Sequence, residues 1–311
     1  MRRNKNMVKR LISADTSETL QFNANDLKQS IKASEGRVIV SENIVTQSNI
    51  DEITTAEIAA AFGADMLLMN RLDVFKPEIF GLYPGEDDAS HERRESIQRL
   101  QKLVGRPIGI NLEPIDKKAD MVEDRLEISR GCVADTEVLQ EAESLGFQFV
   151  VLTGNPGTGV SNAATIESLK LAKKHFSGLI IAGKMHGSGV DEPVISKEVV
   201  QSFLKAGADV ILVPAIGTVP GFDEEELKDI VKLVHNENGL VMSAIGTSQE
   251  GSGKSYIENI AMRTKIYGVD IQHIGDSAWG VQSPFENIYA LSNAIRGERH
   301  TIQRMARSIN R

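Results

Sequence analysis

The chain has 311 residues, 41% of them hydrophobic and 25% charged, and 35 basic against 43 acidic side chains leave a net charge of −8. That balance belongs to a globular protein able to bury a large core, and it excludes collagen-like, disordered and disulfide-scaffold classes. A single cysteine, Cys132, makes neither an internal disulfide nor a cysteine-rich zinc site and points to a reducing compartment, the cytoplasm, while the acidic balance argues against general nucleic-acid binding.

Residues 1–10 carry Arg2, Arg3, Lys5, Lys9 and Arg10 without an acid, and no apolar segment follows, so they read as a solvated end and not as a signal peptide. Asp26–Ser34 reads as a helix capped by Asn25 or Asp26, within an N-terminal helical extension (1–36) that closes the bottom of the fold. Eight short runs rich in Val, Ile and Leu follow, near 37–41, 65–70, 108–112, 147–153, 179–182, 209–213, 240–244 and 270–274. Near-continuous apolar runs of this kind are strands buried on both faces. Between them apolar residues recur three and four apart, as in Ile97, Leu100, Val104 and in Ile166, Leu169, Ala172, Phe176. Glycines in "FGAD" (62–65), "LGFQ" (145–148) and "AGAD" (206–209) stop helices just before strands. Strand starts recur every 28 to 43 residues, which predicts an α/β fold, a (β/α)8 barrel over 37–311, forming one domain with its N-terminal extension. A doubly wound open sheet is the alternative, but no GxGxxG follows the first strand. The last 16 residues hold five arginines and one glutamate, which again reads as a solvated, frayed end.

Two loops, Arg71–Ser90 and Glu113–Ala134, are about ten residues longer than the rest and follow strands, so they fall on the face where barrels build active sites. Polar residues gather at the strand ends on that face. Lys184 and His186 share parity beside glycines 183, 187 and 189: the lysine for an imine or for charge stabilisation, the histidine for proton transfer. Glu113 and Glu42 are candidate general bases or ligands for a divalent metal such as magnesium. Asn70, Arg71, Asn111, Thr153 and Asn155 are candidates for orienting a substrate. Gly246, Thr247, Ser248, Gly275, Asp276 and Ser277, on the loops after strands seven and eight, are candidates for holding a phosphate, with Ser277–Gly280 as a short extra helix. The loop Gly154–Gly159 is either a set of tight turns or a substrate cradle, with Ser161 capping the next helix. His273 reads as a hydrogen-bonded core histidine. Gly253-Lys254-Ser255 is not a nucleotide loop, because Ser248 stands where the pattern needs glycine; it opens a helix instead. The six histidines form no HxH or HExxH pattern.

The segments "SEGRVIVSENIV" (34–45), "NIDEITTAEIAAAFGADMLLMN" (49–70), "VVLTGNPGTGVSN" (150–162) and "AGKMHGSGVDEP" (182–193) resemble an uncharacterised bacterial TIM-barrel family across roughly residues 10–300. Its members have carried phosphonomutase-like (phosphoenolpyruvate mutase-like) or hydrolase-like names. The resemblance implies a small phosphorylated or phosphonate metabolite. The acidic "DxDxG" metal loop and "KKCG"-like signature of the phosphoenolpyruvate mutase and isocitrate lyase group are absent, as is an early DxD of haloacid dehalogenases. The expectation is an enzyme with lyase or isomerase chemistry, forming a homo-oligomer and binding neither membrane nor nucleic acid. The alternatives are a non-catalytic barrel that binds a phosphorylated metabolite and a magnesium-dependent hydrolase.

Overall fold

A computed structural model describes residues 8–83, 93–277 and 279–311. Eight parallel strands close into a barrel in sequence order: β1 (Val38–Ile44), β2 (Met66–Asn70), β3 (Ile108–Leu112), β4 (Phe149–Leu152), β5 (Leu179–Gly183), β6 (Val210–Pro214), β7 (Leu240–Ile245) and β8 (Ile271–Ile274). Closure is direct, with Val40 of β1 opposite His273 of β8 and Ile44 opposite Asn70 of β2. The predicted (β/α)8 barrel is the observed fold.

The helices are α1 (Thr16–Thr19), α2 (Ala24–Lys32), α3 (Thr55–Ala61), α4 (Ser96–Val104), α5 (Thr136–Leu145), α6 (Asn162–His175), α7 (Lys197–Ala206), α8 (Glu224–Asn236), α9 (Lys254–Ile266) and α10 (Phe285–Met305). Ser161 caps α6 through the N–H of Ala164, and Lys254 opens α9 as its sequence suggested. Gly146 and Gly207 end α5 and α7 in the left-handed region, where a Cβ is disfavoured. α2 starts earlier than its sequence suggested. Its cap is Asn23, whose side chain accepts the N–H of Asp26, and not Asn25 or Asp26.

Alternate residues on each strand point to opposite sides. Ile39, Leu67, Ile110, Val150 and Ile180 meet the helices, while Val38, Val40, Met66, Leu68, Phe149, Val151 and Ile181 fill the interior. Leu11, Ile12, Leu27 and Ile31 join that interior cluster, so the N-terminal segment plugs the barrel end away from the strand C-termini. Gly109 keeps the interior row open: a Cβ there would overlap the ring of Phe149.

The basic C-terminus is not a solvated end. Arg304 is fully buried and Arg296 nearly so, and both bind Asp65, which is itself buried. Asp65 Oδ2 accepts from Arg296 Nη1 (2.6 Å) and from the N–H of Ile39 (2.9 Å), and Oδ1 lies 2.8 Å from Arg304 Nε. Arg106 donates to the carbonyls of Ala64 and Arg304 beside them. Arg307 pairs with Asp15, which also holds Lys9. The sequence could not show this, because the compensating acid lies more than 200 residues away. α10 reaches it from both sides of a kink at Gly297, where φ of 73° and ψ of 162° leave the helical region.

Asp65→Ala strands two buried guanidiniums, and breaking a buried pair by removing one partner costs about 3–5 kcal/mol. Denaturant unfolding of the variant is expected to show a loss of that size. A loss of about 1 kcal/mol or less, the range of an exposed pair, would refute the assignment.

Candidate active site

The inward rows change character at the C-terminal ends of the strands. Glu42 follows Val38 and Val40 on β1, Asn70 follows Met66 and Leu68 on β2, and His273 follows Ile271 on β8. Asn111 on β3 and Thr153 just after β4 complete a polar half-ring. The other half is apolar, with Met185, Leu212 and Ala244. A cavity of about 720 Å³ opens there, lined by Glu42, Asn70, Asn111, Thr153 and Met185 and by the loops above them.

Asn70 organises the polar half. Its Nδ2 donates to Asp276 Oδ2 (2.9 Å) and Asn155 Oδ1 (2.9 Å), and its Oδ1 accepts from Asn111 Nδ2 (3.1 Å) and Asn155 Nδ2 (3.1 Å). Glu42 Oε2 lies 2.9 Å from His273 Nε2, and both residues are buried. Burial pushes the Glu42 carboxyl up to about 8, with the charges of Glu250 and Glu113 adding to it, and burial takes the His273 imidazole down to about 4. Both directions favour the uncharged form of each partner. Asp276 rises to about 7 through burial and the charge of Glu42, against the lowering hydrogen bond from Asn70.

The sequence-selected residues divide into two sets. Glu42, Asn70, Arg71, Asn111, Thr153, Asn155, His186, Gly246, Thr247, Ser248, Gly275, Asp276 and Ser277 all line the cavity. Glu113 and Lys184 do not. Glu113 is taken up by the loop after β4, accepting from the N–H of Asn155 (2.8 Å), Asn155 Nδ2 (2.6 Å) and Thr158 Oγ1 (2.7 Å). Lys184 continues the outward row of Ile180 and Ala182, is fully buried and pairs with Glu192, which also accepts the N–H of Asn162 at the start of α6. Its parity with His186 was readable, but the turn after Gly183 separates the two side chains.

The loops after β7 and β8 bring carboxyls as well as amides. The N–H of Ser277 donates to Glu250 Oε1 (2.7 Å) and that of Gly275 to the carbonyl of Ile245 (2.8 Å), so neither is free for an anion. Thr247 and Ser248 have positive φ of 58° and 69°. Residues 277–280 close a turn through the N–H of Gly280, with Ala278 outside the described residues; the suggested extra helix is not seen among the others. Arg71 is the exposed cation of the lining and forms no ion pair among the described residues.

The long loop after β3 lies across its neighbours. Short bridges join Ile115 to Val160 and Met121 to Val190, and Arg125 donates to the carbonyls of Asp116 (2.7 Å) and Thr158 (3.2 Å). Val122 and Glu123 thereby form one wall of the cavity. The loop after β2 is described only to Tyr83; the rest of it, up to residue 92, lies outside the described residues.

Sequence reasoning missed Glu250, which is fully buried with Oε2 unpartnered, and missed that His273 meets Glu42. The signal for the second was present, since His273 shares parity with the inward Ile271. Glu250 sits on a loop and gave no periodic signal. Among the described residues no group of three or more His, Cys, Asp and Glu is placed to hold a metal ion. Glu113, proposed for one, has both oxygens engaged by Asn155 and Thr158.

A model of the family described as a domain of unknown function (DUF7916) matches residues 12–311. The chain belongs to that family. The resemblance read from the four sequence segments therefore holds, for an uncharacterised family with a TIM-barrel fold. No curated protein matches the DUF7916 chain. Among solved structures it is similar to an archaeal fructose-1,6-bisphosphate aldolase with its catalytic lysine bound to a carbinolamine intermediate (16% identity, 85% of this chain and 96% of that one, TM-score 0.52). It is also similar to 2,3-dimethylmalate lyase, a PEP mutase/isocitrate lyase superfamily member (12% identity, 82% and 80%, TM-score 0.50). At these identities the likeness is one of fold. No helix among the described residues is long and apolar enough to cross a membrane.

The buried carboxyl of Glu42 makes a signed prediction. Between its ordinary value of 4.5 and its folded value of about 8, the folded protein keeps a proton that the unfolded chain releases. Stability therefore falls with rising pH across that window on account of this group. Glu42→Gln removes the contribution, so the melting temperature of the variant relative to the unsubstituted protein is expected to rise steadily from about pH 4.5 to about pH 8. A difference that stays flat with pH would show that Glu42 titrates as an exposed carboxyl.

Proposed function

We propose that this barrel is an enzyme of the lyase or isomerase type that moves a proton on a small phosphorylated or phosphonate metabolite. The observation carrying the reading is the pair of buried acids, Asp276 and Glu42, lining one cavity and set in a network of carboxamides. Two carboxyls of different environment in one water-poor site supply both a proton acceptor and a proton donor near neutral pH. Asp276, titrating at about 7, takes or returns the proton; Glu42, held uncharged against His273, is the reserve donor. Asn70 fixes Asp276, and Asn111 and Asn155 orient polar groups of the substrate. Arg71 and the backbone of Thr247 and Ser248 take the anionic group.

A metabolite screen with mass readout tests this. The unsubstituted protein is expected to convert a phosphorylated or phosphonate compound, with product formation surviving chelation of divalent metal. Asp276→Asn is expected to lower kcat by about 10²–10⁴, the contribution typical of a positioned acid or base. Arg71→Ala is expected to raise KM more than it lowers kcat. A compound that binds and is recovered unchanged would instead make this a binding barrel, and activity lost on chelation would favour metal-assisted hydrolysis.

A further inference from the structure

His186 lines the cavity together with Asp276 and Glu42, on the turn that follows β5. Its Nδ1 accepts the backbone N–H of Ser188 at 3.1 Å. A ring nitrogen that accepts cannot carry the proton, so the neutral imidazole bears it on Nε2. Nε2 meets no protein partner among the described residues, leaving one directed N–H for a ligand. Three other residues of the lining also carry unsatisfied atoms. Asn111 Oδ1, Thr153 Oγ1 and Ser188 Oγ are buried without partners, although Asn111 Nδ2 is engaged by Asn70. An unpaired buried acceptor is costly, and the carboxamide oxygen of Asn111 can be satisfied only by a donor such as a ligand hydroxyl.

We propose that His186 is a neutral hydrogen-bond donor to a substrate carbonyl, and that the cavity takes a short hydroxy-ketone or hydroxy-aldehyde. This rests on the reading of Asp276 as the proton carrier and narrows its substrate. The ionised carboxylate of Asp276 removes a proton from the carbon beside the carbonyl. The C–H electron pair becomes the new C=C bond, the carbonyl π pair moves to oxygen, and the resulting oxyanion is held by His186 Nε2–H. The hydroxyl proton passes to the oxyanion as the new carbonyl forms on the hydroxyl-bearing carbon, and return of the abstracted proton to the former carbonyl carbon regenerates the carboxylate of Asp276, with no oxidant or reductant needed. A fixed donor aimed where charge develops is commonly a large catalytic term. Burial and the nearby charge of Lys184 push the ring down to about 4, so it stays neutral across the working range. The other charged or titratable side chains lining the cavity are Glu42, Arg71, Glu123 and Asp276.

Two measurements test this on the full chain. In ¹⁵N spectra the His186 ring, assigned by comparison with His186→Gln, is expected to show the neutral Nε2–H form throughout about pH 5.5–8.5. A midpoint near the ordinary 6.5, or a proton on Nδ1, would overturn the proposal. In D₂O the protein is expected to exchange carbon-bound hydrogen in at least one of dihydroxyacetone phosphate, glyceraldehyde 3-phosphate and hydroxypyruvate, and more slowly in pyruvate, which lacks the hydroxyl. His186→Leu is expected to lose about 10²–10³-fold of that exchange, the usual loss of one such donor, and His186→Gln less, because its amide can still donate. Unchanged exchange in His186→Leu, or no exchange into any hydroxylated probe, overturns the proposal. The acid–base reading fails separately: it falls if Asp276→Asn leaves turnover intact, and stands if turnover of a non-carbonyl metabolite depends on Asp276.

Discussion

Every side chain on a parallel barrel strand faces either the helices or the interior, and the choice alternates without exception along a regular strand. The site is a product of that constraint. The inward rows begin with apolar residues, Gly109 on β3, Phe149 on β4 and unbranched or branched aliphatic-type side chains on the other six strands, and on one side of the barrel they end in Glu42, Asn70, Asn111 and His273. The aliphatic layers exclude water from below, so the last polar layer is desolvated although it lies next to an open cavity. Desolvation is the leading cause of the shifts in Glu42, His273, Asp276 and His186. The chemistry proposed for the cavity thus derives from its floor as much as from its walls.

The same alternation explains what could be read in advance. Strand positions and barrel closure were legible because each buried strand is an apolar run and each helix ends at a recognisable stop. Which residues stand at the strand ends was legible too. What a single strand cannot reveal is which parity is inward. Lys184 looked like a partner for His186 because both are even-numbered, yet the even residues of β5, Ile180 and Ala182, face the helices. Lys184 follows them into a buried pair with Glu192, while His186 reaches the cavity only because the chain turns after β5. Glu113 illustrates a second limit. Its position on the rim was correct, but its hydrogen-bonding capacity is used by Asn155 and Thr158, and that depends on how a glycine-rich loop folds back.

Contacts between distant segments were the least legible. Glu250 approaches Ser277, and Asp65 gathers arginines from the far end of the chain. In both cases a group of one charge is stabilised by a partner that no local pattern specifies. An arginine-rich tail reads as solvated for the sound reason that most are. Here the reading fails because a buried carboxylate beside β2 makes burial of guanidiniums less costly than their exposure would suggest.

The kink at Gly297 lets the two halves of α10 present Arg296 and Arg304 to the same carboxylate from different directions. The last helix is therefore latched to the second strand, and through the backbone of Ile39 and Ala14 to the first strand and the N-terminal segment. The segment around Ala14 and Asp15 and the last helix are fastened together beneath the barrel, on the side opposite the loops that surround the cavity. Those loops are consequently free to vary in length and side chain, as the two long ones already do, without releasing the fastening that closes the ring. The fastening and the cavity thus occupy opposite poles of one molecule, an arrangement under which the lining can change while the scaffold stays shut.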